Sequence, residues 1–325
     1  MEVDYALDEE DKEGLKVLVT YFGSKVSHLQ EVKLDKLIYI AQLYHYANYG
    51  ELLTKIPFFS LSRGPHAPAI RSVIKEQLES RAIYLKVVPS NKDPFNPCLI
   101  IRSHELKDKI QYTACLNTLR EVLEDWGDKH FKDILDYTTR TIPFISTTYR
   151  DPIDLTRTQP LKDLKCVLSL SERISIHQFV QAPEGPHDRG IGHNESHPLS
   201  VIEVAEIYLA LCGVLPGKIP SRKHLGFNIQ AVLEAFGTLD EKNEDGASKH
   251  FMDIHKATQL TDALMNSKGF GHLTHRVALK AGMLFLRRLG YSFEKNDLEE
   301  EFPLPYDYKT LREWFAKVSV KVVTG

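Results

Sequence analysis

The stretch that decides the fold of the first half is KLDKLIYIAQLYHYANYG at residues 33–50. Residues 33–49 are apolar on nearly every face of a helix, and a helix of that kind is buried. Its polar interruptions, Gln42, His45 and Asn48, recur every three residues and therefore form one stripe. Because buried polar groups need hydrogen-bond partners, the stripe predicts contacts with a neighbouring segment. The sequence thus predicts a mainly α fold with this helix in its core.

The apolar pattern around that helix predicts an α-rich N-terminal domain with a small β-hairpin or sheet. Further helices are predicted at residues 9–27, 112–126 and 130–138. Two β-like runs, Ile83–Val88 and Cys98–Arg102, flank the segment PSNKDPFNP, whose composition is typical of a hairpin turn. We therefore expect one hairpin among the helices of this domain.

The clearest boundary in the chain is the segment QAPEGPHDRGIGHNESHP, which ends at residue 198. It is rich in Pro, Gly, His and Asn and lacks apolar periodicity, as is typical of a linker. We predict a first domain at residues 1–160, a linker or extended segment at 161–198, and a second domain at 199–325. A chain of 325 residues is long enough for two domains of ordinary size.

The second domain is predicted to be an all-helical bundle, with at most a short strand after its terminal helix. Ser200 opens S-V-I-E, a capping box in which Glu203 stands at the third helical position. The clearest later helix runs from Arg276 to Leu289, and Gly290 is expected to end it.

The composition argues against several classes of protein. Hydrophobic residues make up 42% of the chain and charged residues 26%, which is typical of globular proteins. The net charge of −3 gives no electrostatic reason to expect a nucleic-acid or membrane partner. The first residues lack the apolar core of a signal peptide and no run resembles a membrane helix, so we expect a cytoplasmic protein. The four cysteines form no C-x-x-C pair, which predicts free thiols and no metal site.

Three segments of the first half resemble the Panacea (SocA-like antitoxin) domain. The stretch at 33–50 resembles the family pattern K-L-x-K-L-L-Y-Y-A-Q-x-x-H, and FSLSRGPHAPAIRSVI at 59–74 resembles its G-P-x-x-P signature. The later LREVLEDWGDKHFKDILDYTTR fits the pattern of a helix, an aromatic-glycine break and a second helix. The resemblance implies a small helical module with a minor sheet. It also implies a protein partner, either a toxin that is neutralised or a component of delivery to a protease.

The candidate binding residues of this half allow two interpretations. In one, Tyr39, Gln42, His45 and Arg63 build a binding pocket beside the turn Gly64-Pro65. In the other, the polar side chains of the buried helix are satisfied core groups that fix the fold. No cysteine or second histidine stands at metal-ligand spacing from His45, so we set a metal aside.

The second half resembles a Fic/Doc domain. LSVIEVAEIYLALCGVLPG at 199–217 resembles the opening helix of Doc-type chains, and RVALKAGMLFLRRLGYSF at 276–293 resembles the helix after the active loop. An active member reads H-P-F-x-D-G-N-K-R in that loop, whereas this chain reads KGFGHLTHR at 268–276. The resemblance therefore implies a Fic/Doc-like bundle with a degenerate catalytic motif.

Each loop position has a chemical meaning under that resemblance. Lys268 replaces the catalytic histidine, Phe270 is retained, His272 replaces the metal-binding carboxylate, Leu273 and Thr274 replace Gly-Asn, and Arg276 remains as a phosphate ligand. An ordinary lysine is protonated at neutral pH and cannot act as the general base. Leucine in place of glycine would disturb the turn that binds phosphate through backbone amides. We therefore expect no catalysis, no metal and no required cofactor.

Alternatives stay open for this loop and for the linker. The basic residues, including His275, form a solvated loop, a retained nucleotide or anion pocket at Arg276, or a site of residual AMP or phosphate transfer with His272 or His275 as base. Segment 181–198 is either a plain linker or a plug over the Fic-like groove. The leading hypothesis is an antitoxin-type protein-binding module joined to an inactive Fic/Doc-like scaffold or sensor.

Overall fold

The computed structural model describes residues 7–89, 98–103, 113–158, 164–181, 199–238, 248–293 and 307–321. Its internal contacts divide the chain into two units, Met1–Lys165 and Cys166–Gly325. Within the described residues there are twelve α-helices and three two-stranded sheets, which confirms the predicted mainly α fold.

In its described residues the N-terminal unit contains six α-helices and two hairpins. Its helices are α1 (Glu9–Lys25), α2 (Glu31–Tyr49), α3 (Pro68–Glu79), α4 (Thr113–Val122), α5 (Phe131–Thr138) and α6 (Ile142–Ile145). Its strands are β1 (Phe59–Leu61), β2 (Gly64–His66), β3 (Ile83–Val88) and β4 (Cys98–Ser103). The one helix predicted at 112–126 is in fact α4 followed by a π-helical turn at Leu123–Gly127.

Helix α2 forms the core of this unit, as its apolar sequence predicts. Every residue from Lys33 to Tyr46 is buried. The helix packs against α4, α5 and β2, and Gly50 ends it in the left-handed conformation that glycine adopts readily. Because α2 is covered on all sides from Lys33 to Tyr46, even Lys33, Asp35 and Lys36 lie inside the protein.

The two hairpins of the N-terminal unit differ in their surroundings. In the β1–β2 hairpin, Phe59 pairs with His66, and residues 150–153 run along the outer side of β1 through hydrogen bonds such as Ser60 N–H to the Asp151 carbonyl, 3.1 Å. In the β3–β4 hairpin, Ile83 pairs with Ser103 and Val88 with Cys98. This second hairpin confirms the two β-like runs of the sequence.

The described part of the C-terminal unit contains six α-helices and one small sheet. Its helices are α7 (Leu170–Gln181), α8 (Val201–Leu211), α9 (Ile229–Gly237), α10 (Lys249–Ser267), α11 (Thr274–Arg288) and α12 (Tyr308–Val318). The strands β5 (Tyr291–Phe293) and β6 (Ser319–Lys321) pair antiparallel. The capping box at the start of α8 is confirmed. The all-helical prediction therefore needs one correction, because β6 pairs with β5, which directly follows α11.

Part of the predicted linker at 161–198 is helical. Helix α7 lies within that range and packs against α8, because Ile176, Phe179 and Val180 turn apolar side chains into the unit. The rest of the boundary segment, 182–198, lies outside the described residues. The choice between a linker and a plug concerns these residues.

The helices α10 and α11 approach each other closely at Gly282. A Cβ atom placed there would lie 2.1 Å from Thr261 Oγ1 and 2.6 Å from Phe315 Cζ. Only a glycine lets the two longest helices of this unit meet at that distance, so they form a rigid pair on either side of the 268–273 loop.

Candidate functional site

The second turn of α2 holds a buried ion pair that fixes the Gly-Pro hairpin. Asp35 is 5% exposed and Lys36 is 4% exposed. The carboxylate of Asp35 and the ammonium of Lys36 lie 3.2 Å apart. The Lys36 ammonium also donates to the Pro65 carbonyl. Asp35 accepts from the Ala67 backbone N–H at 3.0 Å and bonds to His66 Nδ1 at 2.8 Å. These bonds hold strand β2 and the start of α3 against α2.

Gly64 is required by this arrangement. Its φ is 87°, in the left-handed region that favours glycine. A Cβ atom at this position would lie 3.1 Å from Leu135 Cδ1, 3.2 Å from Lys36 Cε and 3.3 Å from Thr139 Cγ2. The residue thus occupies a slot between α2 and α5, and Pro68 at the first turn of α3 starts the next helix.

A second lysine, Lys33 in the first turn of α2, fixes the aromatic-glycine break. The Lys33 ammonium donates to the Gly127 carbonyl at 2.8 Å and to the Lys129 carbonyl at 3.1 Å. Burial lowers the pKa of both Lys33 and Lys36, and nearby carboxylates oppose that shift. All three segments that carry the Panacea resemblance therefore meet at the first two turns of α2.

Three of the candidate pocket residues bond to three different parts of the unit. Tyr39 Oη lies 2.8 Å from Thr141 Oγ1, and burial raises the pKa of this tyrosine. The Gln42 amide donates to the Thr54 carbonyl at 2.6 Å. His45 Nδ1 lies 2.9 Å from Thr118 Oγ1.

The fourth candidate, Arg63, lies apart from the buried helix. It is exposed in the two-residue turn between β1 and β2, while the Gly64-Pro65 pair that follows is buried. The structure therefore brings Gly64 and Pro65 to Lys36 and does not join Tyr39, Gln42 and His45 in one cluster.

A shallow pocket lies beside the buried ion pair. It is lined by Glu31, Val32, Asp35, His66, Ala67, Ile70 and Arg71. Its volume of about 40 Å³ is enough for a few water molecules, whereas small-molecule sites usually measure several hundred Å³. This surface suits contact with a protein better than enclosure of a metabolite.

An aromatic cluster at the π-helical turn closes the far end of α2. Trp126 Nε1 donates to Tyr44 Oη at 2.9 Å, and Tyr44 donates to Asp125 at 3.0 Å. Burial raises the pKa of Tyr44 to about 12. The Lys165 ammonium lies 4.8 Å from the Tyr44 ring centroid and 2.7 Å from Glu121. Sequence analysis missed Lys165, which lies beyond the predicted domain end at residue 160.

The 268–273 loop of the C-terminal unit is built on an aromatic stack. Lys268 ends α10 in the left-handed conformation, with φ of 54°, and is exposed. The next aromatic residue, Phe270, is buried, and its ring centroid lies 5.3 Å from that of Tyr208 and 5.1 Å from that of Phe227. The phenylalanine therefore ties the loop to α8 and to the segment before α9.

Backbone amides of this loop are engaged within the protein. The Phe270 N–H donates to Thr274 Oγ1 at 3.1 Å, and that hydroxyl donates to the Gly271 carbonyl at 2.7 Å. The Gly269 N–H donates to Ser267 Oγ at 3.1 Å. The N–H groups of Gly271 and Leu273 donate to carbonyls of the same loop. An anion nest needs successive amides that point at one ligand, and these four already have partners.

The other predicted loop residues lie on the surface. His272, His275 and Arg276 are exposed, while Leu273 and Thr274 are buried. The loop thus places its apolar and hydroxyl side chains inward and its basic side chains outward.

A buried ion pair that sequence analysis missed joins α8 to α11. Glu203 closes the capping box by accepting a hydrogen bond from the Ser200 N–H at 2.7 Å. Its carboxylate also accepts hydrogen bonds from both terminal nitrogens of Arg288. This two-point contact fixes the angle between the two helices that carry the Fic-like patterns.

Two further observations concern metal binding and membrane-spanning helices. Among the residues that the structure describes, no group of three or more His, Cys, Asp and Glu side chains could hold a metal ion. Within the same part of the chain, no helix is both long and apolar enough to cross a membrane.

Comparison with known protein families identifies one part of the chain. Residues 34–142 match the family described as antitoxin SocA-like, Panacea domain. This range contains nearly all of α2, the Gly-Pro hairpin and the aromatic-glycine break, so it confirms the resemblance for this part of the chain. No curated protein matches the chain, and no solved structure does.

Proposed function

We propose that this chain is an antitoxin-type protein that binds and neutralises a protein toxin, or presents it for degradation, through the N-terminal unit. The observation that carries the proposal is the Panacea match at residues 34–142. Other members of that family act on protein partners, which the resemblance extends to this chain.

The chemistry of the N-terminal unit supports binding over catalysis. The buried charges that a catalyst could use, Lys33, Asp35 and Lys36, bond to backbone groups and to each other. Asp35 is engaged by an ammonium group, an imidazole and a backbone amide at once. These groups therefore serve to hold loops in place, and the surface over them is available for a partner.

For the C-terminal unit we propose a Fic/Doc-like scaffold without transfer activity. Lysine replaces the catalytic histidine at position 268, and the loop amides that would bind phosphate have partners inside the protein. The alternative, residual AMP or phosphate transfer by His272 or His275, has only the exposed basic side chains in its favour. A binding scaffold or nucleotide sensor needs no more than the folded bundle and Arg276.

A co-expression experiment tests the antitoxin proposal. We expect cells that produce a toxic protein encoded next to this chain to recover growth when the chain is present, and the two proteins to co-purify. Gly64→Ala should abolish rescue, because the added Cβ crowds the slot between Lys36 and Leu135 at a φ that disfavours alanine. Gly50→Ala is the matched control, since Gly50 has a similar φ of 72° but no atom within 4 Å of the added Cβ. Failure of every neighbouring protein to bind or be neutralised contradicts the proposal.

Mass spectrometry tests the C-terminal proposal separately. After incubation of the full chain with ATP and cell lysate, we expect no AMP or phosphate adduct beyond those formed in the same lysate without the chain. Adducts that disappear in His272→Ala or His275→Ala would establish the alternative instead. A nucleotide that raises the thermal midpoint of the chain, but not of Arg276→Ala, would identify a sensor.

A further inference from the structure

We infer that the C-terminal unit has a docking surface for a segment of a partner protein that carries both carboxylates and aliphatic side chains. This aliphatic-basic surface consists of Leu170 and Ile174 of α7 and of residues 215–223, which follow α8. The inference is independent of the proposed function, because it uses neither the Panacea match nor the chemistry of the 268–273 loop.

Helix α7 carries apolar side chains on two opposite faces. One face, with Ile176, Phe179 and Val180, is buried in the unit. On the other face, Leu170 and Ile174 lie one turn apart and are 48% and 41% exposed. A helix at a protein surface normally has one apolar stripe and polar residues opposite it. The outer pair is therefore a second aliphatic face, open to solvent in the described part of the unit.

The segment after α8 extends this aliphatic face. Gly217 lies beside α7, since a Cβ atom placed there would be 3.9 Å from Leu170 Cδ1. Leu215 and Ile219 flank this glycine and are 52% and 40% exposed. The Lys218 N–H donates to the Leu215 carbonyl at 2.9 Å and fixes the turn between them. Four exposed aliphatic side chains are thus grouped on one surface, and such a group marks an interaction site.

The same segment carries charge of one sign. Lys218, Arg222 and Lys223 are exposed. The sequence contains no acidic residue between Glu206 and Glu234. The whole chain has a net charge of −3, so this region has the opposite sign to the protein that carries it. Its field therefore attracts acidic groups.

The one acidic side chain of α7 belongs to a different face of the helix. Glu172 is two residues from Leu170 and two from Ile174, and helix residues at that spacing do not face each other. Its carboxylate accepts a hydrogen bond from the Ser169 N–H at 2.7 Å. The charge of Glu172 therefore serves the start of the helix, and the aliphatic-basic surface keeps its positive edge.

The combination of aliphatic and cationic groups favours one kind of occupant. An acidic, apolar protein segment covers the four aliphatic side chains and places its carboxylates beside the cations. A second copy of this chain would instead bring two basic segments together. A nucleic acid would use the cations but would find no aromatic ring for its bases among these residues. An anionic membrane typically requires roughly four to eight clustered cations, whereas this surface has three.

Fluorescence anisotropy with a labelled synthetic peptide tests the inference. We expect the peptide E-E-L-L-E-E-L-L-E-E, added to the full chain, to bind saturably with a micromolar Kd. Binding should weaken at least about fivefold between about 0.1 M and 1 M NaCl, because salt screens the carboxylate–cation attraction. The peptide K-K-L-L-K-K-L-L-K-K should not bind. The peptide E-E-Q-Q-E-E-Q-Q-E-E, which keeps the charge but lacks the leucines, should bind at least about tenfold more weakly.

Two pairs of variants locate the binding surface. Leu215→Gln should weaken binding of the acidic peptide at least about tenfold, and Leu99→Gln, at a leucine that is 50% exposed, is the matched control. Lys223→Glu should weaken binding at least about fivefold. Lys317→Glu changes the net charge by the same amount at an exposed lysine of α12 and should have little effect. Circular dichroism should show that all four variants are folded.

Other occupants give different results. Absence of saturable binding, or binding unchanged in Leu215→Gln and Lys223→Glu, overturns the inference. Residues 297–301 of the chain read D-L-E-E-E and could compete for the same surface. Binding that appears only when Glu299, Glu300 and Glu301 are all replaced by glutamine would assign the surface to that segment and overturns the inference. Sedimentation with phosphatidylserine vesicles that is lost in Leu215→Gln would assign it to a membrane, with the same consequence.

Discussion

The Gly-Pro hairpin before α3 and the 268–273 loop before α11 both place a tight turn directly ahead of a helix, yet different forces hold them. The hairpin is fixed by the buried pair Asp35 and Lys36, which bond to backbone groups. The loop is fixed by the ring of Phe270 and the hydroxyl of Thr274. We call the first arrangement a charged lock and the second an apolar lock. A turn with a characteristic sequence can therefore be held by either kind of interaction.

The two arrangements fail in different ways. A charged lock is most sensitive to removal of one partner, because the remaining charge stays buried without compensation. An apolar lock is most sensitive to loss of volume, because the cavity does not fill. Each unit contains one tryptophan, Trp126 and Trp314, so single-tryptophan variants can report unfolding of each unit of the full chain.

Removal of the Phe270 ring should give the largest effect. We expect Phe270→Ala to lower the free energy of unfolding of the C-terminal unit by about 4 kcal/mol, because it leaves a cavity between Tyr208 and Phe227. Urea unfolding followed through Trp314 measures this. Phe251→Ala, at a position of the same unit that is 36% exposed, is the control and should cost much less. Equal losses in the two variants would show that Phe270 does not hold the loop.

Removal of the Lys36 ammonium should come next. Lys36→Met leaves Asp35 buried without its cation and the Pro65 carbonyl without a donor, so we expect a loss of about 3 kcal/mol in the N-terminal unit. The transition followed through Trp126 measures it. Lys132→Met removes an exposed lysine of the same unit and should change little. A Lys36→Met protein as stable as the parent would refute the charged lock.

Loss of one hydroxyl in the loop should have a smaller effect. Thr274→Val removes the acceptor of the Phe270 N–H and the donor to the Gly271 carbonyl, and we expect a cost of about 1 to 2 kcal/mol. The matched control is Thr238→Val, because Thr238 makes one hydroxyl bond at a more exposed helix end. If the two variants lose the same stability, the engagement of the loop amides is not a stabilising feature.

The smallest effect should come from acid titration of His45. Burial lowers the pKa of His45 from its usual 6.5, and Glu51 opposes the shift. The unfolded chain therefore binds this proton more readily, and the contribution of His45 to stability is lost as the pH falls below 6.5. We expect His45→Asn to lose less stability than the parent between about pH 7 and pH 5.5. Identical pH dependence in both proteins would exclude this role.

Sequence reasoning succeeded where the pattern is periodic or local. The buried helix, the strands at 83–88 and 98–103 and the Ser200 capping box all depend on neighbours within a few residues, so their order is visible in the sequence. The Gly-Pro turn was also predicted, because Gly64 and Pro65 restrict the backbone themselves.

The anchors of the candidate site could not be predicted in the same way. Lys33 and Lys36 look like solvated residues at a helix start, and only the carbonyls of Gly127 and Pro65, which approach from distant segments, make them buried. The same holds for Glu203, whose second partner, Arg288, is 85 residues away. Bonds between residues that lie far apart in the chain produce no periodic pattern from which they could be predicted.

The family match ends at residue 142, but the fold of the unit continues to Lys165. The Tyr137 hydroxyl donates to the Lys165 carbonyl at 2.7 Å, and the Lys165 ammonium spans Asn48 and Glu121. A fragment cut at the family boundary would therefore leave the Tyr44 ring without the ammonium that lies over it. A version of this unit that is moved into another chain should therefore keep Lys165, because this one residue bonds to α2, α4 and α5.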